Sequence, residues 1–327
     1  MNHKIAVVLF NLGGPDSLAA VQPFLFNLFS DPDIFKLPLG FITQKPFARF
    51  ISKRREPEAK KNYAAIGGRS PLLEYTRQQG EALSRALNSD DNNLEYEIVL
   101  CMRYWHPLTK QVVAELKEKQ FDRVILLPLY PQYSTTTTGS SYNEFRRECT
   151  RQHYAPKMYL IHDWYQQPDY HKAIVESISG SIKQFSNPDP DAIELLFSAH
   201  GLPQKIVDAG DPYEQHIKAT YQALTEQLRW PNTTLCFQSR VGPLKWLQPY
   251  TDQIIRQKGQ SGCRQMLVYP IAFVSDHVET LYELGIEYAH LAHESGIKEY
   301  HVVPGLNNHP LLIDALKKLV LDAEKSL

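Results

Sequence analysis

No two cysteines in this chain lie close enough to form a CxxC pair, and none stands in the C-terminal tail. The four are Cys101, Cys149, Cys236 and Cys263, a spacing that argues against a zinc ribbon or a cysteine-ligated iron–sulfur cluster. It fits reduced thiols in a cytosol better than a disulfide framework. No leader is expected: MNHKIAVVLFNLGGP runs straight into a strand-like segment, with no charged-then-apolar stretch and no small-residue cleavage site. No apolar run reaches membrane-spanning length. The expected location is therefore cytoplasmic, with contact at the inner face of the cell membrane left open. A net charge of −1 over 327 residues steers nothing toward nucleic acid. GxGxxG, GxxxxGK[ST] and GxSxG are all absent, so dinucleotide, P-loop and α/β-hydrolase readings lack their fingerprints.

What is present is ordinary globular composition, 43% hydrophobic and 22% charged, enough for one large domain or two of average size. Eighteen tyrosines and four tryptophans suit a flat apolar pocket and equally suit plain core. Short β-branched runs alternate with longer helical patterns, which predicts parallel βαβ construction. Strands are expected to start near Lys4, Glu95, Arg123, Lys157, Ala192, Thr234, Arg264 and Glu299. Laid out as four plus four they rhyme: AVVLFNLGGP with ELLFSAHGLP, VLCMRYWHPL with LCFQSRVGPL, VILLPLYPQYS with MLVYPIAFVSD, YLIHDWYQQP with YHVVPGLNNHP.

The expectation is an α/β protein made by internal duplication. Two Rossmann-like domains would each carry a four-stranded parallel sheet flanked by helices, with ligand-binding turns at the carboxyl ends of the strands sharing one cleft. The predicted boundaries are 1–163, 164–308 and a C-terminal helix over 309–327 packing back on the body. An insertion over about 18–88 breaks the symmetry. It mixes Phe35, Leu37, Leu39, Phe41, Ile42, Phe47 and Phe50 with Lys45, Arg49, Lys53, Arg54 and Arg55. Such a basic amphipathic segment suits a membrane interface or a lid. An ordinary helix packed on its own domain reads as well.

Two stretches carry candidate chemistry. In LLFSAHGLP, residues 195–203, a strand ends on His200 before a turn at Gly201 and Pro203; alone, such a histidine is more often a hydrogen-bonded cap than a functional group. The turn NLGGPDS after the first strand reads as a phosphate cradle or merely a tight turn. In LVYPIAFVSDHVETLYELGIEYAHLAHESG, residues 267–296, Ser275 or Asp276 is placed to cap a helix that stops at Gly296. Asp276, His277 and Glu279 sit in its first turn, and Glu279, Glu283 and Glu287 follow at steps of four. In an α-helix that row drifts by about 40° per step, whereas a wider π-type turn aligns it and often marks a functional site. The row is either a solvated acidic face or a file of hard oxygen ligands for a divalent cation. His200 and Glu279 would face one another across one sheet, an imidazole and a carboxylate suited to a loosely held metal and to proton transfer.

At SAHGLPQKIVDAGDPY the chain resembles the ferrochelatase family, a histidine turn followed by a spaced Gly-Asp-Pro-Tyr. The likeness continues in order through NLGGPDS, FLFNLFSDPDIFKLP, IGGRSPL, RYWHPLT, YPQYSTTTTGSS, FQSRVGPLKWLQP and PIAFVSDHVETLYELGIEY, nearly the whole chain. The resemblance implies the chelatase-like fold, with protoporphyrin IX and Fe²⁺ as partners and haem as product at the last step of its synthesis. It implies His200 and Glu279 as the iron and proton-handling pair, with Asp276 and His277 behind them and Glu283 and Glu287 on the metal's approach. Leu12, Tyr133, Trp246 and Phe273 would line the porphyrin faces. Arg69, Arg103, Ser134, Gln238 and Arg240 would contact propionates or order the cleft. Residues 32–55 match the apolar lip at which some relatives are thought to meet the membrane.

Iron would be substrate, with no tightly bound cofactor and no iron–sulfur cluster, since the cysteine set of some relatives is missing. Leu12 stands where some members carry methionine or a polar aromatic. The NLGGP turn resembles protoporphyrin-using members more than coproporphyrin-using ones. The rival readings are a chelatase for coproporphyrin III or another tetrapyrrole, and a tetrapyrrole-binding protein without catalysis. A serine hydrolase using Ser198 and His200 lacks a nucleophile elbow.

Overall fold

The computed structural model describes residues 3–35, 37–89, 94–121 and 123–327; residue 36, within the expected 32–55 lip, lies outside them. Contacts divide the chain into two compact units, Met1–Trp164 with Ile313–Leu327, and Tyr165–Leu312.

The first unit begins with β1 (His3–Asn11), followed by α1 (Val21–Phe29), α2 (Gly40–Ala65) and α3 (Leu72–Leu87). Then come β2 (Leu94–Met102), α4 (Thr109–Glu118), β3 (Arg123–Pro128), α5 (Ser140–Arg151) and β4 (Lys157–Leu160). The strands form one parallel sheet in the order β2-β1-β3-β4. Ile5 through Leu9 of β1 are wholly buried, which explains the unbroken apolar run: a parallel strand covered on both faces has no side to give to water. Ala6, Val8 and Phe10 pack on one face with Val112, Val113, Leu116 and Phe145 from α4 and α5.

The second unit opens with α6 (Pro168–Ser181), then β5 (Ile193–His200), α7 (Gln204–Asp208) and α8 (Tyr213–Leu228). It continues through β6 (Thr233–Gln238), α9 (Thr251–Gln260), β7 (Gln265–Tyr269), α10 (Tyr288–Glu294) and β8 (Glu299–Val302), and α11 (Pro310–Glu324) follows. Its parallel sheet runs β6-β5-β7-β8, the first unit's order repeated. The two sheets also share their exits. Leu129 donates its N–H to Phe10 O at 2.9 Å, and Ile271 to Ser198 O at 3.1 Å, so Leu12 occupies the place in the first unit that His200 holds in the second. After the third strand of each unit the helix opens with a π-type turn, over Thr135–Gly139 and over Glu279–Glu287.

One rhyme needs correction. VLCMRYWHPL and LCFQSRVGPL pair Pro107 with Pro243, yet the backbone bond from Met102 N to Pro107 O (2.8 Å) recurs as Phe237 N to Pro249 O (2.9 Å). The strand register agrees, since Cys101 pairs with Phe10 and Cys236 with Ser198. The written match is therefore one residue out of step in the strand. The second unit also carries a longer loop, Ser239–Leu247, before its proline.

Helix α2 is inside out for a soluble amphipathic helix. Its enclosed row is Gln44, Ala48 and Ser52, while Phe41 is 87% exposed and Leu39, Ile42 and Phe50 exceed 60%. Small and polar groups face α1, with Gln44 Nε2 donating to Phe29 O and Gln22 Nε2 to Ser52 Oγ, both at 2.9 Å. Among the described residues no helix is long and apolar enough to cross a membrane.

Candidate active site

His200 is the last residue of β5, and the chain can turn away at once because Gly201 has no side chain. A Cβ there would lie 2.8 Å from Gln238 O and 3.4 Å from the Trp246 ring. The spaced Gly-Asp-Pro-Tyr supplies the next support. Asp211 Oδ1 accepts from Tyr213 N at 3.0 Å, and the Tyr213 hydroxyl donates to His200 O at 2.9 Å. The motif thus starts α8 and pins the histidine's own backbone.

From the neighbouring strand end, Glu279 opens the π-turn and meets the histidine, with His200 Nδ1 2.9 Å from Glu279 Oε2. The two side chains are about one-third exposed, at 34% and 28%. Burial acts to lower the imidazole's pKa, but the carboxylate of Glu279, with Glu283 behind it, more than offsets this and raises it above the ordinary 6.5. Burial likewise acts to raise Glu279, and the charge and hydrogen bond of His200 overcome it, holding the carboxyl well below its usual range. Each group favours the other's charged form.

His277 stands on the far side of Glu279, its Nε2 3.7 Å from the same Oε2. Its Nδ1 lies 3.1 Å from Ser275 O, which assigns the ring proton to Nδ1. The Phe273 ring meets it edge-on, with centroids 4.3 Å apart. Asp276 caps no backbone N–H of the helix. It accepts from Thr280 Oγ1 (2.9 Å), Gly305 N (3.0 Å) and Asn307 Nδ2 (2.8 Å), so it anchors the start of the π-turn to the loop after β8. Asn307 and Gly305 carried no sequence signal, lying about thirty positions away.

Along the acid row Glu279 and Glu283 are half-buried and Glu287 is exposed. Glu283 is not an open ligand. Oε1 accepts from Ser239 N (2.9 Å) and Tyr288 OH (3.0 Å), and Oε2 from Gln238 Nε2 (3.2 Å) and Ser239 Oγ. Burial and then the charge of Glu279 raise its pKa against these bonds. Among the described residues no three His, Cys, Asp or Glu side chains are gathered around one ion position.

Gln238 is enclosed, and its Oε1 accepts from the buried Ser198 hydroxyl at 2.7 Å. That commits Ser198 and removes the accessible nucleophile a hydrolase would need. Arg240 pairs with Asp252 at 2.9 Å and lies over the Tyr250 ring, 4.1 Å from its centroid. Trp246 is half-buried.

The remaining expected residues belong to the first unit. Leu12 is half-buried and Arg69 exposed. Tyr133 stacks on His162 with centroids 3.9 Å apart. Ser134 is enclosed and accepts from Thr136 N, opening the π-turn there. The Arg103 guanidinium lies 3.0 Å from Asp31 and 2.8 Å from Ser140 Oγ and is 10% exposed. Asp31 lies 72 positions from Arg103 and no motif marks it.

Residues 4–324 match the Ferrochelatase family model. A ferrochelatase from Gloeothece citriformis is 44% identical over 98% of this chain and 82% of its own length. One from Trichormus variabilis is 46% identical over the same shares. Among solved structures, SirB from Bacillus subtilis with Fe³⁺ aligns over 99% of this chain and 97% of its own with TM-score 0.56 and 10% identity. The sirohydrochlorin chelatase SirB from Bacillus subtilis subspecies spizizenii, in complex with cobalt, gives 0.53 and 11% over the same shares. At such identities these two speak for the chelatase fold alone. With a family match across nearly the full chain and relatives 44% and 46% identical over 98% of it, this chain belongs to the ferrochelatase family and is a metal chelatase that inserts iron into a porphyrin for haem biosynthesis.

Proposed function

We propose that the porphyrin is protoporphyrin IX, that the metal is Fe²⁺, and that His200 and Glu279 carry the insertion. The observation behind this assignment is their direct hydrogen bond at 2.9 Å at the carboxyl end of β5. Nδ1–H donates to the carboxylate, which leaves the Nε2 lone pair to accept a pyrrole proton. The imidazolium that forms is stabilised in place by Glu279. Both histidine contacts of Glu279 fall on Oε2, so Oε1 is the oxygen assigned to Fe²⁺ as water leaves it. Two N–H protons must depart for each ion inserted, and His200 accepts one at a time, returning each to solvent. Phe273 and Trp246 are assigned to the ring face, with Leu12, Tyr133 and Arg69 as further porphyrin contacts in the first unit. Glu287, exposed at the end of the row, is assigned to iron's approach.

The reading includes no iron–sulfur cluster. Burial pushes the Cys101 and Cys236 thiols up to about 12 and Cys149 to about 11, far from the thiolate a cluster requires. We place the chain in the cytoplasm with peripheral membrane contact through residues 32–55, on the evidence of the outward Leu39, Phe41, Ile42 and Phe50 beside exposed Lys45, Arg49, Lys53 and Arg54.

Anaerobic Fe²⁺ insertion followed by absorbance, with protoporphyrin IX and coproporphyrin III in parallel, tests the assignment. Faster turnover of protoporphyrin is expected, and His200→Ala should abolish insertion while porphyrin still quenches the protein's fluorescence. Preference for coproporphyrin would overturn the substrate, and turnover retained in His200→Ala would overturn the base.

A further inference from the structure

We propose that Glu283 is a positioning residue that fixes the strap Ser239–Leu247 above the His200 turn, and that it does not pass iron. The inference rests on the reading that this turn receives the porphyrin. A carboxylate has about four lone-pair sites, and Glu283 has four donors, two on each oxygen: Ser239 N and Tyr288 OH on Oε1, Gln238 Nε2 and Ser239 Oγ on Oε2. An ion taking either oxygen would have to displace charge-assisted bonds already made.

The arrangement is imposed from behind. Ser198 donates to Gln238 Oε1, so the other end of that amide, the NH₂, must face Glu283. Ser239 is held by two of the four bonds and has φ +64°, a left-handed conformation that a residue with a side chain seldom adopts without such support. This residue is the base of the strap. The far end is stitched to the residues just after His200: Gln204 N donates to Lys245 O at 2.8 Å, Leu247 N to Leu202 O at 2.9 Å, and Trp246 bridges Pro203. The Trp246 indole N–H reaches back to Val241 O at 3.1 Å, closing the strap on itself. The carboxylate thus sets the base from which Trp246 is placed beside Gly201.

Glu283→Gln in the full chain replaces one acceptor oxygen with a donor that must face two donors. Porphyrin KM should rise about tenfold while Fe²⁺ KM changes by less than about twofold. Amide exchange across Ser239–Leu247 should quicken. Adding Ser239→Gly should recover part of the porphyrin KM, because glycine takes the left-handed conformation without penalty. Should Glu283→Gln fold poorly, Ser239→Ala removes one donor from outside the helix and should move the same readouts in the same direction. A raised Fe²⁺ KM with porphyrin KM and strap exchange unchanged would overturn the proposal and return Glu283 to the iron path. If the wild-type chain inserts no iron, the functional reading fails, and strap exchange still decides the positioning role.

Discussion

Asp31 and Arg103 form an enclosed ion pair: Arg103 Nη2 lies 3.0 Å from Asp31 Oδ2, and the aspartate side chain is wholly buried. The same carboxylate accepts from Tyr104 OH at 2.6 Å and from Ser140 Oγ. One side chain from the segment between α1 and α2 therefore holds the turn after β2 and the first residue of α5.

Removing that carboxylate strands a buried cation and two hydroxyls. Asp31→Ala should cost about 3–5 kcal/mol of stability, measured by urea unfolding of the full chain. A loss below about 1 kcal/mol, the range of exposed pairs, would show that the network relaxes without it.

The His200–Glu279 pair sets a pH dependence. His200 must be neutral to accept a proton, and its pKa is raised above 6.5, so insertion should rise with pH through a midpoint above that value. As a stability term the raised imidazole contributes fully below its unfolded value and is lost as pH rises through its folded one. Glu279, depressed below 4.5, contributes above its unfolded value and is lost as pH falls through the folded one. An NMR titration of the His200 ring in Glu279→Gln should show its midpoint moving to lower pH. An unmoved midpoint would mean that another group holds the proton.

Gly201→Ala tests the close approach behind the histidine. The new Cβ would sit 2.8 Å from a backbone oxygen, Gln238 O, which has no rotamer by which to retreat. The cost should be about 1–3 kcal/mol, as for overpacking elsewhere, with kcat falling because His200 is the adjacent residue. Wild-type melting and turnover would show that the strand ends part freely.

The strands were legible because β1, β5 and β7 are covered on both faces and so read as unbroken apolar runs. Glu279, Glu283 and Glu287 showed in their four-residue spacing, and His200 in its strand-end turn. The same spacing could not say that Glu283 would be saturated, because its donors come from Gln238 and Ser239 on another strand end. The halves differ in step because Pro243 lies nearer in sequence, yet Pro249 makes the backbone bond. For α2 the pattern left an interface, a lid and a packed helix open, because it could not say that the enclosed row would be Gln44, Ala48 and Ser52 and the outward residues apolar.

The first unit is closed by residues from the far end of the chain, Ile313–Leu327. Ala315, Leu316 and Val320 of α11 are fully buried, and Glu324 reaches the Tyr96 hydroxyl. A ribosome delivers these residues after the entire second unit. The half that leaves the exit tunnel first is thus the half completed last: α11 follows about 150 residues later, on the order of ten to thirty seconds at ordinary rates of synthesis.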